Sequence, residues 1–290
     1  MENIKRADLM KKRLIILTLW CCIIFCFTGC KTKYNSEVQS TTVSEEIASV
    51  EETKYDAEAQ STTVSEEIAS VEAAYQDILS RDTSNYTQGD MNAECYEEYE
   101  LWNNELNNLW EQIKSSLDEG AYSTILDEQH AWLERKKFHV RACGSEAFGG
   151  SMQPMLESIG AAEMTRVRCY QLAKILADAK SEPFSMGEIE ALVDNVDPSY
   201  DDVMQGFSGS YDMTSYDDST GSLMISHESD EWEAIITYNG ERQQVELWGY
   251  TSERIIWKNS EDDFFEVGLS MENDLVFTHR DDLGEYVDAY

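Results

Sequence analysis

The hydrophobic period of the chain changes near Gly206, and this change limits the possible folds more than any other feature of the sequence. Between residues 88 and 180, apolar residues recur at steps of three and four, the period of a helix with one buried face. After Gly206 they alternate with polar residues, the period of a half-buried strand. The sequence therefore predicts an α+β multidomain protein. An antiparallel helical bundle at 86–180 is followed by a linker at 181–205 and a small antiparallel β-barrel or sandwich at 206–290.

Three helices are predicted in the bundle. The stripe that predicts the first contains no Pro or Gly and consists of Met91, Cys95, Tyr99, Trp102, Leu106, Leu109, Ile113 and Leu117. A second helix is predicted from about Ser123 to Val140. A third begins near Pro154, which suits a first helical turn, and continues to Leu176. Amphipathic helices with short connections predict an antiparallel arrangement.

Seven short alternating runs after Gly206 predict a β-meander. Asn239-Gly240, between two of these runs, predicts a hairpin turn. A barrel that stays open would offer a ligand cavity, whereas a filled one would offer only a spacer or a protein-binding surface. The preceding linker contains Pro183 and Pro198, and a short helix is predicted around residues 186–193.

The N-terminus predicts export and lipid anchoring. The first 13 residues carry five basic side chains, and the apolar run Leu14–Phe27 is short for a membrane span. The run ends in Thr28-Gly29-Cys30, which resembles a bacterial lipobox. We therefore predict a lipoprotein signal peptide at 1–29 and a lipid on Cys30; the alternative is an uncleaved N-terminal anchor. Both place the remaining chain outside the cytoplasm, attached to the bacterial cell membrane.

A 13-residue segment, 39–51, recurs unchanged at 60–72, so the repeat unit is 21 residues, or three heptads. Thr42 with Glu45, and the same pair in the second copy, fit helix-capping boxes. The apolar positions also stay in phase with a coiled coil, although Lys54 interrupts the seam. The Ser, Thr and Glu content fits a disordered tether equally well. We interpret residues 30–85 as a solvated tether with transient helix.

The charge of the chain favours cationic partners. Its formal net charge is −35, and removal of residues 1–29 takes away five basic and two acidic residues, which gives −38. Such a charge repels nucleic acid and attracts cationic proteins over long distances.

Residues scattered over the three predicted helices form a recognisable set. They are Met91, Asn92 and Tyr99; Gln129, Ala131 and Trp132; Gly149, Gly150, Ser151 and Pro154; and Thr165, Arg168 and Leu172. Through them, the region from about 86 to 180 resembles the LprI-like lysozyme-inhibitor family, small helical domains of bacterial envelope proteins. The resemblance implies binding of lysozyme-like muramidases, with inhibition in some relatives.

The resemblance also implies roles for particular residues. The family often joins a cysteine at the end of the second helix to one early in the third, which here implies a Cys143–Cys169 disulfide. Two further expectations come from the helical pattern and not from the resemblance. Trp132 lies on the inner stripe and is expected in the core, because its side chain buries a large area. Arg168, if buried, would need a carboxylate such as Glu98 or Glu105.

The sequence contains no Gly-x-Ser-x-Gly elbow, phosphate-binding loop, dinucleotide glycine pattern or His-Glu-x-x-His motif. We therefore expect no enzymatic activity, no cofactor and no metal site. The expected partner is a cationic protein such as lysozyme, with Phe148 in the Ala142–Met152 loop as a candidate partner-binding residue. The alternative is a non-inhibitory envelope binding module whose β-domain recognises a small ligand, a glycan or a protein.

Overall fold

The computed structural model describes residues 62–213, 220–270 and 274–280. The predicted signal peptide, Cys30 and the first repeat copy lie outside these residues. The described chain begins with four long helices, α1 (Val64–Leu79), α2 (Gln88–Ser116), α3 (Glu119–Gly144) and α4 (Gln153–Lys180). The last three correspond to the three predicted helices.

The apolar stripe of α2 forms the centre of the helical core. Trp102, Leu109 and Ile113 are fully buried and pack with Leu172 and Leu176 of α4. Side-chain caps set the helix starts: Thr87 and Asp90 form a capping box at α2, and the Asp118 carboxylate accepts from the backbone N–H of Ala121 at α3. The predicted helical bundle is confirmed.

Helix α1 corrects the interpretation of the predicted tether only within residues 62–85, the part of it that the structure describes. The second repeat copy forms its first half and starts with the predicted capping box of Thr63 and Glu66. Val64, Ile68 and Tyr75 are buried in the same core as α2 and α4. A helix of this length is marginal in water, so its stability comes from packing against α2 and α4.

The segment after α4 is also packed onto the helices. Ser181 ends α4 in a left-handed conformation, with φ of 58°. A 3-10 helix (Gly187–Leu192) follows, as the expected short helix around residues 186–193, and then α5 (Val193–Val196) and α6 (Tyr200–Gly206). Asp197 joins this segment to α3, because the Arg135 guanidinium donates to its two carboxylate oxygens at 2.7 and 2.8 Å. The domain boundaries themselves stay a prediction.

The strands form two antiparallel four-stranded sheets in chain order. The first contains β1 (Gly209–Met213), β2 (Gly221–Glu228), β3 (Glu231–Tyr238) and β4 (Glu241–Arg242). The second contains β5 (Val245–Thr251), β6 (Arg254–Asn259), β7 (Phe264–Leu269) and β8 (Leu275–Arg280). In the described residues the two sheets are separate, so the fold is α+β and compatible with a sandwich but not a closed barrel. The predicted hairpin at Asn239-Gly240 is confirmed, with φ of 50° and 83°.

Helix α3 also packs against the second sheet. A Cβ atom built on Gly249 of β5 would lie 2.7 Å from the Phe138 carbonyl oxygen and 2.9 Å from the Ala142 amide nitrogen. The Phe138 ring stacks on Tyr250, with 5.8 Å between ring centroids. Glycine at 249 therefore permits the close approach of strand and helix.

No helix in the described part of the chain is both long and apolar enough for a membrane span.

Candidate binding surface on the helical bundle

The residues that carry the family resemblance gather at two places in the bundle. The first is a buried cluster around Arg168 of α4, whose side chain is 1% exposed. Arg168 Nε donates to Gln129 Oε1 at 2.8 Å, and its guanidinium lies 6.0 Å from the Trp132 ring. Thr165, one turn earlier, is fully buried and donates its hydroxyl to the Ala161 carbonyl at 2.6 Å. Gln129, Trp132 and Arg168 therefore hold α3 against α4, and the Thr165 hydrogen bond stays within α4.

The partner of Arg168 differs from the expected one. Arg168 Nη1 donates to Glu128 Oε1 at 3.1 Å and to Gln171 Oε1 at 3.2 Å, so its carboxylate comes from α3 rather than from Glu98 or Glu105. Burial lowers the pKa of the guanidinium, while Glu128 opposes this shift. Helical periodicity placed Arg168 on the inner face but did not show which neighbouring helix faces it.

Lys136 is a further member of this cluster, and its burial was not predicted from the sequence. It is 7% exposed, and its ammonium group lies 4.5 Å from the Tyr99 ring centroid and 5.3 Å from that of Trp132. Its Nζ donates to the Tyr99 hydroxyl at 3.5 Å. The spacing in the sequence does indicate this position, because Lys136 lies four residues after Trp132 and therefore lies on the same face of α3. Tyr99 thereby connects the buried cluster to the surface of α2.

The second place is the junction between the start of α2 and the turn before α4. Asn92 Nδ2 donates to the Ser151 carbonyl at 3.1 Å, and Gln88 Nε2 donates to Asn92 Oδ1 at 2.8 Å. Gly149 has φ of 72°, a conformation that favours glycine, and its N–H donates to Gln153 at 2.8 Å.

The remaining motif residues of this junction are Met91, Gly150 and Pro154. Met91 is half-buried in the first turn of α2, Gly150 is exposed in the turn, and Pro154 lies in the first turn of α4. The motif residues here shape an exposed turn and fix it to α2.

The expected Cys143–Cys169 disulfide is absent from the structure. A Cβ atom on Gly160 would lie 2.7 Å from Cys143 Sγ, so Cys143 packs beside Gly160, about 13 Å along α4 from Cys169 at 1.5 Å per residue. Cys169 is buried and donates to the Trp102 carbonyl at 3.4 Å. Burial raises the pKa of Cys143 to about 12 and raises that of Cys169 as well, so neither is an activated nucleophile.

His139 lies beside Cys143 in the core. Burial lowers its pKa to about 4, so its imidazole is neutral at pH 7. In the described residues, neither ring nitrogen has a hydrogen-bond partner. The described residues also contain no group of three or more His, Cys, Asp and Glu side chains arranged to hold a metal ion.

Phe148, the predicted partner-binding residue, packs against the second sheet. Its ring centroid lies 5.2 Å from that of Phe264 and 6.0 Å from that of Trp248. The Arg280 guanidinium lies 5.5 Å from the Phe148 ring. The ring is half-buried and joins α3 to the sheet, and its contact with a partner stays a prediction.

The surface of α2 beside the motif residues combines exposed aromatic and acidic side chains. Tyr96 is 49% exposed, and its ring lies 6.0 Å from that of Tyr99. Glu97 and Glu100 are on the same stretch, and the exposed Glu97 pairs with Arg81 at 2.6 Å. Tyr96, Tyr99 and Glu100 form what we name the Tyr96 surface. Tyrosine beside carboxylate is a combination suited to a cationic protein partner.

The helical part resembles a known class of proteins. Residues 80–172 match the family described as lysozyme inhibitor LprI, which confirms the resemblance based on the motif residues. The match covers α2, α3 and most of α4, and it leaves out α1 and both sheets. An uncharacterized protein of Rhizobium meliloti is 28% identical over 108 residues, which cover 33% of this chain and 78% of that protein. No solved structure matches the chain.

Proposed function

We propose that this protein is a lipid-anchored envelope protein whose helical bundle binds and inhibits lysozyme-like muramidases. The observation that carries the proposal is the match of residues 80–172 to the lysozyme inhibitor LprI family. The formal net charge of −35 adds independent support, because an acidic surface accelerates encounter with a cationic enzyme. We assign the chain a binding role rather than a catalytic one.

The Tyr96 surface is the proposed contact. A rigid aromatic side chain buries a large area at low cost in conformational entropy, so Tyr96 is suited to hold a partner. The neighbouring carboxylates would steer the encounter. Phe148 remains a predicted second contact, but Phe148→Ala would also remove its packing against Trp248 and Phe264. Tyr96 is therefore the cleaner first test.

The experiment measures association and dissociation of hen egg-white lysozyme on the lipid-free chain, from residue 31 onward, at two salt concentrations. We expect Tyr96→Ala to weaken binding by about 1–3 kcal/mol, mainly through faster dissociation. Higher salt should slow association, since it screens charges beyond about a Debye length. A lysozyme activity assay in the presence of the chain then separates inhibition from binding.

Met224→Ala is the matched control, because Met224 is 40% exposed but lies on β2. Equal loss of binding in both variants would contradict a contact at the Tyr96 surface. No detectable binding of lysozyme by the unmodified chain at low salt would contradict the proposed function itself.

A second candidate is a non-inhibitory binding module that uses the second sheet. Leu269 and Leu275 are 45% and 42% exposed and lie directly opposite each other on β7 and β8. Such a pair of exposed apolar side chains can contact a protein, a glycan or a small ligand. If Leu269→Ala and Leu275→Ala weaken lysozyme binding and Tyr96→Ala does not, the sheet is the binding element.

A further inference from the structure

His139 of α3 is a buried polar residue whose ring nitrogens are not used by the fold. It is 6% exposed, and neither nitrogen has a hydrogen-bond partner among the described residues. A buried polar group without a partner is destabilising, so its presence in a native core calls for a specific explanation. Burial lowers the pKa of His139 to about 4, so the imidazole is neutral at pH 7. One nitrogen of a neutral imidazole has a lone pair, which can bind a metal ion.

The thiol of Cys143 lies one turn later on the same face of α3. Side chains four residues apart on a helix are neighbours, and two helical ligands at this spacing can bind one metal ion. A Cβ atom built on Gly160 of α4 would lie 2.7 Å from Cys143 Sγ and 3.3 Å from His139 Cδ2. The thiol and the edge of the imidazole therefore meet the same point of α4, and glycine at 160 leaves room for both.

One sulfur and one imidazole nitrogen are a donor set that suits a soft metal ion. Thiolate selects soft ions such as Cu(I), and imidazole is also a good ligand for copper. Zn²⁺ sites use three or four protein ligands. The described part of the chain has no group of three or more His, Cys, Asp and Glu side chains that could hold a metal ion. Cu(I) accepts two ligands in a line, so it matches this pair where Zn²⁺ does not.

The charges around Cys143 also favour a bound cation. Burial is the largest cause of the raised pKa of the thiol, and three carboxylates add to it against one guanidinium: Glu163, Glu146 and Glu157 against Arg254. The excess of negative charge opposes the lone thiolate, and the same charge stabilises a cation bound there. Cys143 is half-buried, so an ion can reach the sulfur from solvent.

We propose that His139 and Cys143 form a binding site for one Cu(I) ion. The thiol releases its proton to solvent, and the sulfur and one imidazole nitrogen each donate an electron pair to the ion. Copper remains Cu(I), so binding needs no oxidant or reductant. The absence of longer ligand motifs led to the expectation of no metal site, and a pair of ligands four residues apart on one helix does not require such a motif.

The test measures the transfer of Cu(I) from the chelator bicinchoninate to the lipid-free chain, from residue 31 onward, without oxygen and with ascorbate present. We expect the unmodified chain to bind one equivalent of Cu(I). Cys143→Ser and His139→Gln should each weaken binding by about a hundredfold or more, because even a group that only orients a metal ligand contributes about 10–100-fold. The matched controls are Cys169→Ser, at a thiol that contacts Trp102 instead, and His130→Gln, at an exposed position of the same helix. Both should keep the affinity of the unmodified chain.

X-ray absorption at the copper edge identifies the donor atoms in the unmodified chain loaded with one equivalent of Cu(I). We expect one sulfur and one nitrogen donor, and this result stands even if a variant does not fold. The proposal fails if the unmodified chain takes no Cu(I) from the chelator, or if Cys143→Ser binds as tightly as the unmodified chain. Two sulfur donors in the absorption spectrum would also overturn it, because the pair supplies only one. None of these outcomes depends on lysozyme binding.

Discussion

Gly249→Ala should break the contact between the helical bundle and the second sheet. The added Cβ would lie 2.7 Å from the Phe138 carbonyl oxygen and 2.9 Å from the Ala142 amide nitrogen. Both are backbone atoms of α3, so a side-chain rotation cannot relieve the clash. The strand and the helix must move apart, and this reduces the packing of Phe138 on Tyr250.

The expected cost of this overpacking is about 1–3 kcal/mol in the free energy of unfolding. With a urea m-value of about 2 kcal/mol/M, the unfolding midpoint should fall by roughly 0.5–1.5 M. Tryptophan fluorescence is a suitable signal, because Trp248 precedes the substituted residue.

Gly206→Ala is the matched control. Gly206 ends α6, and a Cβ atom built there meets no atom within 4 Å. This substitution should be neutral or should stabilise the chain by up to about 1 kcal/mol, because alanine restricts the unfolded state. Equal midpoints for Gly249→Ala and Gly206→Ala would refute the close approach of β5 to α3.

Three further predictions concern buried charge and membrane attachment. Burial, with a contribution from the Glu67 charge, raises the pKa of Glu105 to about 7 from 4.5. The protonated Glu105 therefore stabilises the folded state fully below pH 4.5, and this stabilisation is lost as the pH rises through 7. Glu105→Gln should therefore remove up to about 3 kcal/mol of pH-dependent stability in urea titrations between pH 4.5 and 8, and an unchanged pH profile would contradict this. Arg168→Lys should cost about 2 kcal/mol or more, since lysine cannot reproduce the hydrogen bonds to Gln129, Glu128 and Gln171. Lys174→Met, an exposed change on the same helix, should stay within about 0.5 kcal/mol, and equal effects would argue against the buried cluster. Cys30→Ala should abolish incorporation of labelled lipid in a bacterial host, and normal labelling of that variant would exclude the lipobox assignment.

The sequence alone was sufficient to predict the types of the main elements, helices first and antiparallel strands after them. The unbroken stripe from Met91 to Leu117 specifies α2, because a helical period maintained over many residues is incompatible with the two-residue period of a strand. The alternation after Gly206 and the Asn239-Gly240 turn specify antiparallel strands, because these two residues tolerate positive φ. The motif residues were also sufficient for the resemblance to lysozyme inhibitors.

The sequence did not specify which surfaces of the helices pack against each other. Three predictions were wrong for this reason: the state of the second repeat, the pairing of the cysteines and the partner of Arg168. The apolar seam of the second repeat was interpreted as a solvated tether, because its binding surface is formed by α2 and α4, which are distant in sequence. Cys143 and Cys169 were paired by resemblance, but their places along the helices keep the thiols apart. Arg168 was expected to find Glu98 or Glu105, and the packing of α3 on α4 supplies Glu128 and Gln129 instead.

Local periodicity determines which face of an element is apolar, and therefore whether a segment forms a helix or a strand and which of its faces is buried. The partner of that face is decided only when distant segments pack, because that choice depends on the shape and charge of surfaces that do not exist in the unfolded chain.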